Sequence, residues 1–299
     1  MNLSRTVFPI VVVLALLAGQ CAPPTAAGET RGHLVIIGGG ERTEEIMKRF
    51  VDLAGGPEKA RIIVIPLASG NAREAGESAV AEFTALGVNT VSSLLFSREE
   101  AAGGDVTGKL SGATGIYFTG GDQVRITRVI VGTPVHQALL QRYRDGAVIG
   151  GTSAGAAIMS KVMITGDELI NKDTNTIFTS IMRGNVQTVE GLGFLDDVIV
   201  DQHFVKRKRL NRLISVVLEH PELPGIGIDE STALVANPNG VFEVMGEGTV
   251  VVFDARGASG IQSDTHGNLG ARNVTMHVIR SGETFALTSL GPAAVPGNR

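Results

Sequence analysis

The segment Ala147-Val148-Ile149-Gly150-Gly151-Thr152-Ser153-Ala154-Gly155 decides the fold of this chain. The aliphatic residues at 147–150 predict a short buried strand, and residues 156–162 beyond the turn have the apolar spacing of a helix. Glycine on both sides of Ser153 allows a sharp turn between the two elements. A strand, a tight turn and a helix in this order are typical of α/β proteins, which bind ligands beyond the carboxyl ends of parallel strands.

Aliphatic runs and amphipathic segments alternate along the first half of the chain. Continuous aliphatic strands separated by helices indicate a mostly parallel sheet with helices on both faces. We predict strands at residues 33–37, 61–66, 91–96, 115–118 and 147–150, and helices at residues 44–53, 72–86 and 134–143.

The chain changes character from Ala233 onward. Short alternating strands at residues 241–245, 249–253 and 274–279 are separated by turns that contain Gly, Asn and Asp. We predict that these strands are antiparallel C-terminal additions to the same domain. Because no linker rich in Pro or Ser divides the chain, we predict one domain over residues 31–290.

The overall composition is that of an ordinary globular protein, with 43% hydrophobic and 19% charged residues among 299. A formal net charge of −4 argues against a nucleic-acid partner, since nucleic-acid-binding domains are usually strongly basic. No run of residues has metal-ligand spacing, so we expect neither a metal nor another cofactor.

The N-terminus predicts an export signal over residues 1–27. Arg5 precedes a short apolar run from Val7 to Gly19, and small residues follow. The run is shorter than the roughly 20 residues that span a bilayer. We therefore expect a secreted or periplasmic protein. Cleavage before Cys21, where the sequence faintly resembles a lipoprotein box, is the alternative and would leave a lipid anchor in the outer membrane.

Glycine-bearing turns follow three of the predicted strands, at residues 38–40, 120–122 and 150–155. Carboxyl ends of parallel strands meet at one edge of a sheet. We expect these three turns to converge on a single site.

The pattern Gly151-x-Ser153-x-Gly155 has the strand and helix context of a nucleophile elbow. Such a turn projects the serine oxygen above the sheet, and the amides of the next helix face the place where negative charge develops. We predict that Ser153 is a catalytic nucleophile. The alternative is a tight turn in which Ser153 only caps the helix.

A nucleophilic serine needs a base and an acid that orients the base. His203 is our candidate base because it follows the predicted strand at 198–200 in a polar run. Glu230 is our candidate acid because it ends the predicted strand at 225–230. Glu168 is the alternative acid.

The turn after the strand at 115–118 is a candidate oxyanion hole. We predict that the backbone N–H groups of Gly121 and Ala154 form it. A phosphate-binding glycine loop is the alternative, but neither GxxxxGK[ST] nor GxGxxG is present.

Five basic residues follow the candidate base: Lys206, Arg207, Lys208, Arg209 and Arg212. Helical spacing of the next apolar residues predicts that this basic run begins a helix. Cations are destabilising at a helix start, so their presence here indicates a functional role. We predict that the arginines bind substrate carboxylates through paired hydrogen bonds. The alternative is an ordinary solvated face.

These motifs together resemble those of the cyanophycinases, within the peptidase E-like serine hydrolase family. The similarity spans residues 31–280. It rests on Phe118-Thr119-Gly120-Gly121-Asp122-Gln123, Gly151-Thr152-Ser153-Ala154-Gly155-Ala156, Asp201-Gln202-His203-Phe204 with Arg207, Arg209 and Arg212 after it, and Gly227-Ile228-Asp229-Glu230.

The resemblance implies a flavodoxin-like fold, similar to class I glutamine amidotransferases, and a homodimer. It also implies hydrolysis of cyanophycin, a polyaspartate with arginine on each β-carboxyl, to β-aspartyl-arginine dipeptides, with Ser153 attacking the β-amide to form an acyl-enzyme. The residues that it assigns to substrate binding are Asp122, Gln123, Gln202, Arg207, Arg209 and Arg212.

Two other functions stay open from the sequence. The chain is also compatible with a peptidase E-like hydrolase of short aspartyl peptides, or with an inactive hydrolase fold that binds carboxylates at a surface. The polar segment at residues 169–191 has no clear match to the resembling motifs, and a different cleft there would change substrate preference.

Overall fold

The computed structural model describes residues 32–170 and 178–290. The strands are β1 (Leu34–Ile37), β2 (Arg61–Ile65), β3 (Thr90–Ser93), β4 (Gly115–Phe118), β5 (Val148–Thr152), β6 (Val162–Glu168), β7 (Val186–Glu190), β8 (Ile199–Gln202), β9 (Gly225–Ile228), β10 (Thr232–Ala236), β11 (Val241–Gly246), β12 (Thr249–Asp254), β13 (Ser259–Ser263), β14 (Leu269–Arg272), β15 (Thr275–Arg280) and β16 (Thr284–Ala286). The helices are α1 (Glu44–Leu53), α2 (Ala72–Ala85), α3 (Arg98–Ala102), α4 (Asp105–Leu110), α5 (Gln123–Ile130), α6 (Pro134–Arg144), α7 (Ala154–Ala157) and α8 (Leu210–Glu219), with a 3₁₀ turn at Leu287–Ser289.

The central sheet has eight strands in the order β16-β11-β10-β1-β5-β4-β2-β3. The five strands from β1 to β3 in this order are parallel. The other three, β10, β11 and β16, extend the sheet in antiparallel pairing. The predicted fold class, a mostly parallel α/β sheet with antiparallel C-terminal additions, is confirmed.

Both faces of the central sheet are covered. Along β1, Leu34 and Ile36 pack into a cluster that includes side chains of α5, α6 and α7. Val35 and Ile37 point to the other face and pack with residues of α1 and α2. All four side chains are fully buried, which is why the strand is an unbroken aliphatic run rather than an alternating one.

A second sheet has four strands in the order β15-β12-β9-β8. Strands β8 and β9 are parallel, and α8 packs on this sheet through Leu213, Val216 and Val217. The carboxyl end of β8 reaches the carboxyl end of β1, where the His203 amide donates to the Gly38 carbonyl at 2.7 Å. Two separate hairpins, β6–β7 and β13–β14, flank the two sheets.

The predicted helix at residues 156–162 is wrong. Helix α7 ends at Ala157, and the chain enters strand β6 at Val162. The Ser160 hydroxyl donates to the carbonyls of Ala157 at 3.3 Å and Val162 at 3.0 Å, and this local bonding replaces the helical pattern. Ile158 and Met159 are apolar because they are fully buried, not because a helix continues there.

Several predictions concern residues outside the described ranges. The export signal over 1–27 and the anchor at Cys21 both fall there, as does part of the polar segment at 169–191. The domain limits of 31–290 stay a prediction. Within residues 32–170 and 178–290, no helix is both long enough and apolar enough to span a bilayer.

Candidate active site

Ser153 occupies a strained turn between β5 and α7. Its backbone has φ 54° and ψ −108°, a conformation that residues with a side chain rarely adopt. The flanking glycines explain how the turn fits: a Cβ on Gly155 would lie 2.4 Å from the Phe118 carbonyl oxygen, and one on Gly151 would lie 2.5 Å from the Gly155 carbonyl oxygen. The turn therefore requires glycine on both sides, as the sequence pattern predicts.

The His203 imidazole lies against Ser153. Its Nε2 is 2.9 Å from the Ser153 Oγ, although the two residues are fifty positions apart in the chain. His203 follows β8 in a left-handed conformation with φ 48°, which turns its side chain toward the serine. Only glycine fits at position 39 beside the ring, because a Cβ there would lie 2.2 Å from the His203 Cε1.

Glu230 completes a chain of hydrogen bonds. Its Oε1 lies 2.6 Å from the His203 Nδ1. When Nδ1–H donates to the carboxylate, Nε2 is left free to accept the proton of the Ser153 hydroxyl. Glu230 follows β9, and the next amide, that of Ser231, donates to the Gly39 carbonyl at 2.8 Å. The arrangement has the geometry of a serine nucleophile, its base and an orienting acid.

Glu168, the alternative acid, belongs to a different part of the molecule. It ends β6, and its Oε1 accepts a hydrogen bond of 2.8 Å from the Asn185 side chain. The Nδ1 of His203 is already bonded to Glu230. The structure thus brings Ser153, His203 and Glu230 together and leaves Glu168 in the β6–β7 hairpin.

Burial and neighbouring cations keep the imidazole neutral. Burial is the largest cause that lowers the pKa of His203, and the positive charges of Arg207 and Arg209 lower it further against the opposing effect of Glu230. The hydrogen bond from His203 lowers the pKa of Glu230, as do the nearby charges of Arg207 and Lys206. At neutral pH a neutral base therefore stands between a hydroxyl and a carboxylate.

The glycine turn after β4 lies beside the serine. A Cβ on Gly120 would contact the Ser153 Cβ at 3.4 Å. The next residue, Gly121, has φ 139° and passes close over Ala68, whose carbonyl accepts from the Asp122 amide at 2.9 Å. In the described part of the chain, neither the Gly121 amide nor the Ala154 amide donates to a backbone carbonyl. The two N–H groups stay the predicted oxyanion hole. The glycine turns at 38–40, 120–122 and 150–155 converge as expected.

Asp122 and Gln123, both predicted to bind substrate, have distinct environments. Asp122 caps α5, accepting from the Val124 amide at 2.8 Å, and its side chain is more than half exposed. Gln123 is buried, and its amide nitrogen donates to the carbonyls of Ile164 at 2.9 Å and Thr165 at 2.5 Å. Gln123 therefore ties α5 to strand β6.

The basic run precedes a helix rather than beginning one. Helix α8 starts at Leu210, with Arg209 as its cap residue, so Lys206, Arg207 and Lys208 lie in a preceding turn. The predicted helical start is wrong for Lys206, Arg207 and Lys208, whereas Arg212 lies in the first turn of α8. Arg207 is about half exposed, and its Nε lies 3.6 Å from the Glu230 Oε1.

Arg209 and Gln202 contact each other. The Nη1 of Arg209 donates to the Gln202 carbonyl at 2.7 Å and to its side-chain Oε1 at 2.8 Å. Burial, the largest cause, and the neighbouring Arg212 lower the pKa of Arg209 to about 10. Gln202 is itself buried. These two side chains support the wall of the site next to the histidine.

Arg212 is not placed as a clamp for substrate, which corrects the expectation from the sequence. The residue is 2% exposed, its Nε donates to the Asp201 Oδ2 at 2.8 Å, and its Nη2 donates to the other carboxylate oxygen. Its guanidinium also lies over the Phe178 ring, 5.5 Å from the centroid. Arg212 is therefore part of a buried ion pair that joins β8 to α8.

Comparison with known proteins agrees with this geometry. Residues 34–244 match peptidase family S51. The chain belongs to peptidase family S51. This peptidase is similar to the cyanophycinase of Trichormus variabilis, at 35% identity over 86% of each chain. It is also 35% identical to the cyanophycinase of Geminocystis herdmanii, over 88% of this chain and 97% of that protein.

A solved structure shares the fold. The peptidase of an acI-B1 Actinobacterium superposes with a TM-score of 0.61 at 24% identity, covering 87% of this chain and 98% of its own. The chain is therefore a serine peptidase of family S51, and it is similar to cyanophycinases. Among the described residues, no group of three or more His, Cys, Asp or Glu side chains is placed to hold a metal ion.

Two structural partners in the S51 site were not found from the sequence. No role for Asp201 follows from its motif, yet the residue pairs with Arg212 and is 1% exposed. No contact with His203 follows from the turn sequence around Gly39, yet the missing side chain of Gly39 makes room for the His203 ring. Asp201 follows the apolar residues at 198–200, two positions before the candidate base. A charge in a buried strand needs a partner, so this placement could have indicated an ion pair.

Proposed function

We propose that this peptidase hydrolyses cyanophycin and releases β-aspartyl-arginine dipeptides through an acyl-enzyme on Ser153. The observation that carries the proposal is the continuous hydrogen-bonded chain from Glu230 through His203 to Ser153. The similarity to proteins named cyanophycinase over most of the chain supports the choice of polymer.

The proton transfers follow from the bonded atoms. The Ser153 Oγ attacks the substrate carbonyl carbon while its proton passes to the His203 Nε2, and Glu230 stabilises the imidazolium that forms. The oxygen of the tetrahedral intermediate takes up negative charge, which amides at Gly121 and Ala154 would stabilise. His203 then gives its proton to the leaving nitrogen, and the amine departs. Water activated by the same imidazole hydrolyses the ester and frees Ser153.

The chemistry of the product decides which bond breaks. A β-aspartyl-arginine dipeptide still contains the amide between the aspartyl β-carboxyl and arginine. The expectation that Ser153 attacks the β-amide is therefore wrong for this product, since that cleavage would release free arginine. The bond hydrolysed is the α-amide of the polyaspartate backbone.

The exposed cations beside the triad supply attraction for the polymer. Lys206, Arg207 and Lys208 lie in one exposed turn, and Arg207 is within reach of Glu230. Each arginyl unit of cyanophycin carries a free carboxylate, which a guanidinium can bind through two parallel hydrogen bonds. Arg207 is the arginine of the run that is exposed, so we assign it the main role in binding these carboxylates.

Digestion of the polymer tests this function. Purified protein is incubated with insoluble cyanophycin and, separately, with short α-aspartyl peptides, and products are identified by mass spectrometry. We expect β-aspartyl-arginine from the polymer. Cleavage of the short peptides without any dipeptide from cyanophycin would instead support a peptidase of short aspartyl peptides. No cleavage of either substrate and no labelling of Ser153 by a fluorophosphonate would support an inactive carboxylate-binding protein.

We also propose that the peptidase is exported and dimeric. The basis for export is the apolar run after Arg5, and the basis for the homodimer is the resemblance to cyanophycinases. N-terminal sequencing of the protein from its native cells would find Gly28 after free export and a blocked, lipidated Cys21 after anchoring. Sedimentation of the purified protein gives the number of subunits, and a monomer at all concentrations would contradict the dimer.

A further inference from the structure

A groove leads away from the glycine turn beside Ser153. It runs between helix α5 and the β6–β7 hairpin and consists of two adjoining clefts, each of about 310 Å³. The first cleft begins at Gly121, the predicted oxyanion residue, and the second extends to Glu190 at the end of β7. The two clefts have lining residues in common: Val124, Arg128, Thr165 and Asp167. Because they share these residues, the two clefts adjoin, and the first of them reaches the glycine turn that lies beside Ser153.

The walls of the groove are fixed relative to each other. The buried amide of Gln123, at the start of α5, donates to the carbonyls of Ile164 and Thr165 in β6. The Thr165 hydroxyl donates to the Gln187 carbonyl of β7 at 3.2 Å, which ties the two hairpin strands together. The groove is therefore preformed, so that binding requires little ordering of its walls.

Three of the charged side chains that line this groove form no ion pair within the part of the chain that the structure describes. In residues 32–170 and 178–290, neither Asp167 nor Glu190 forms a side-chain ion pair, and neither does Arg128 between them. Asp122, at the mouth, accepts from the Val124 amide at 2.8 Å and has a 3.7 Å contact with Arg125. Asp167 and Glu190 are both exposed and thus available to a ligand. Arg128, between them, is also exposed.

We propose that this groove binds the arginyl side chains of a zwitterionic polymer, with Asp167 and Glu190 holding guanidinium groups and Arg128 holding a carboxylate. The inference rests on the proposed function, in which every repeat carries one guanidinium and one free carboxylate. The exposed basic turn at Lys206–Lys208 binds carboxylates alone, so it cannot account for the cationic half of each repeat. The groove supplies the complementary charges.

Binding measured without catalysis tests the groove. The Ser153→Ala protein is titrated with a soluble oligomer of β-aspartyl-arginine and with a matched oligomer in which neutral citrulline replaces arginine. We expect the double change Asp167→Asn with Glu190→Gln to weaken binding of the arginine oligomer by about five- to tenfold, the size expected for two partly exposed ion pairs. Binding of the citrulline oligomer should change by less than about twofold.

A matched control comes from the opposite face of the sheet. Asp52 is an exposed acid on α1, which packs on the other side of the sheet from α5, so Asp52→Asn should leave both affinities unchanged. Equal thermal unfolding midpoints for the variants show that each is folded.

The groove assignment fails if the double variant binds the arginine oligomer as tightly as its Ser153→Ala parent. It also fails if the double variant weakens binding of both oligomers equally. Absence of binding and of polymer cleavage by protein with Ser153 intact would instead overturn the proposed function.

Discussion

The electrostatic state of a single imidazole governs the reactivity of Ser153. His203 is buried and bonded to Glu230 through Nδ1, and burial is the main reason that its pKa lies below the ordinary value of 6.5. The base must be neutral to accept the serine proton. Reactivity therefore falls only as the pH drops through this lowered pKa, and the acidic limb of the pH profile lies below pH 6.5.

Replacement of Arg207 by glutamine should shift the acidic limb of the pH profile to higher pH. Arg207 contributes a positive charge that lowers the pKa of His203, so its removal raises the pKa and shifts the loss of reactivity to higher pH. The rate of Ser153 labelling by a small fluorophosphonate, measured against pH, isolates this effect from polymer binding. Lys59→Gln, at an exposed and distant turn, is the control that should leave the limb in place. An Arg207→Gln limb that stays fixed or moves to lower pH would contradict the electrostatic assignment.

The two acids weighed from the sequence should behave differently as glutamines. Glu230→Gln removes the negative charge next to the imidazole and should lower turnover by about 10³- to 10⁴-fold, as in other triads. Glu168→Gln keeps an oxygen that can accept from Asn185 and should lower turnover less than about threefold. Steady-state kinetics on one substrate compares them. Equal losses in the two variants would remove Glu230 from the role of orienting acid.

Position 155 requires glycine because the turn around Ser153 packs closely against the end of β4. An added methyl group at Gly155 would meet the Phe118 carbonyl oxygen at 2.4 Å, so Gly155→Ala should destabilise the fold by about 1–3 kcal/mol. Gly108, in helix α4, has nothing within 4 Å of an added Cβ, so Gly108→Ala should raise stability by about 0.4–1 kcal/mol. Urea unfolding measures both. A Gly155→Ala protein as stable as the unchanged chain would show that the turn can relax.

At the scale of elements, a buried ion pair joins strand β8 to helix α8. Asp201 and Arg212 are each no more than 2% exposed. Asp201→Asn leaves a buried guanidinium without its counter-charge and should cost about 3–5 kcal/mol in the free energy of unfolding. Joint replacement of the pair by Leu and Met should restore much of that stability. Glu283→Gln, in the exposed pair with Arg280, should cost less than about 1 kcal/mol. Similar small losses at both pairs would show that α8 is held by apolar packing alone.

The sequence predicts those elements whose burial determines their composition. Strand β4 is found at Gly115–Phe118 and helix α1 at Glu44–Leu53, as predicted. The β6–β7 hairpin was missed because Val162 to Glu168 passes from buried to exposed residues along one strand and follows an apolar turn that has helical spacing. Here local hydrogen bonds of Ser160, rather than the apolar pattern, decide the conformation.

At the scale of the whole molecule, the site forms where two sheets meet. Ser153 follows a strand of the eight-stranded sheet, whereas His203 and Glu230 follow β8 and β9 of the four-stranded sheet. Local sequence predicts that each residue ends a strand. It does not encode the sheet to which a strand belongs, because pairing depends on contacts distant in the chain. The three residue types and their strand-end positions were therefore predictable, but the second sheet was not.

The most direct measurement is the release of β-aspartyl-arginine from cyanophycin by the unchanged protein and by Ser153→Ala at equal concentration. Removal of the attacking oxygen should lower the initial rate by at least about 10⁴-fold, while circular dichroism and the unfolding midpoint show an intact fold. Dipeptide release by folded Ser153→Ala at a rate near that of the unchanged protein would contradict the central claim that this hydroxyl is the nucleophile.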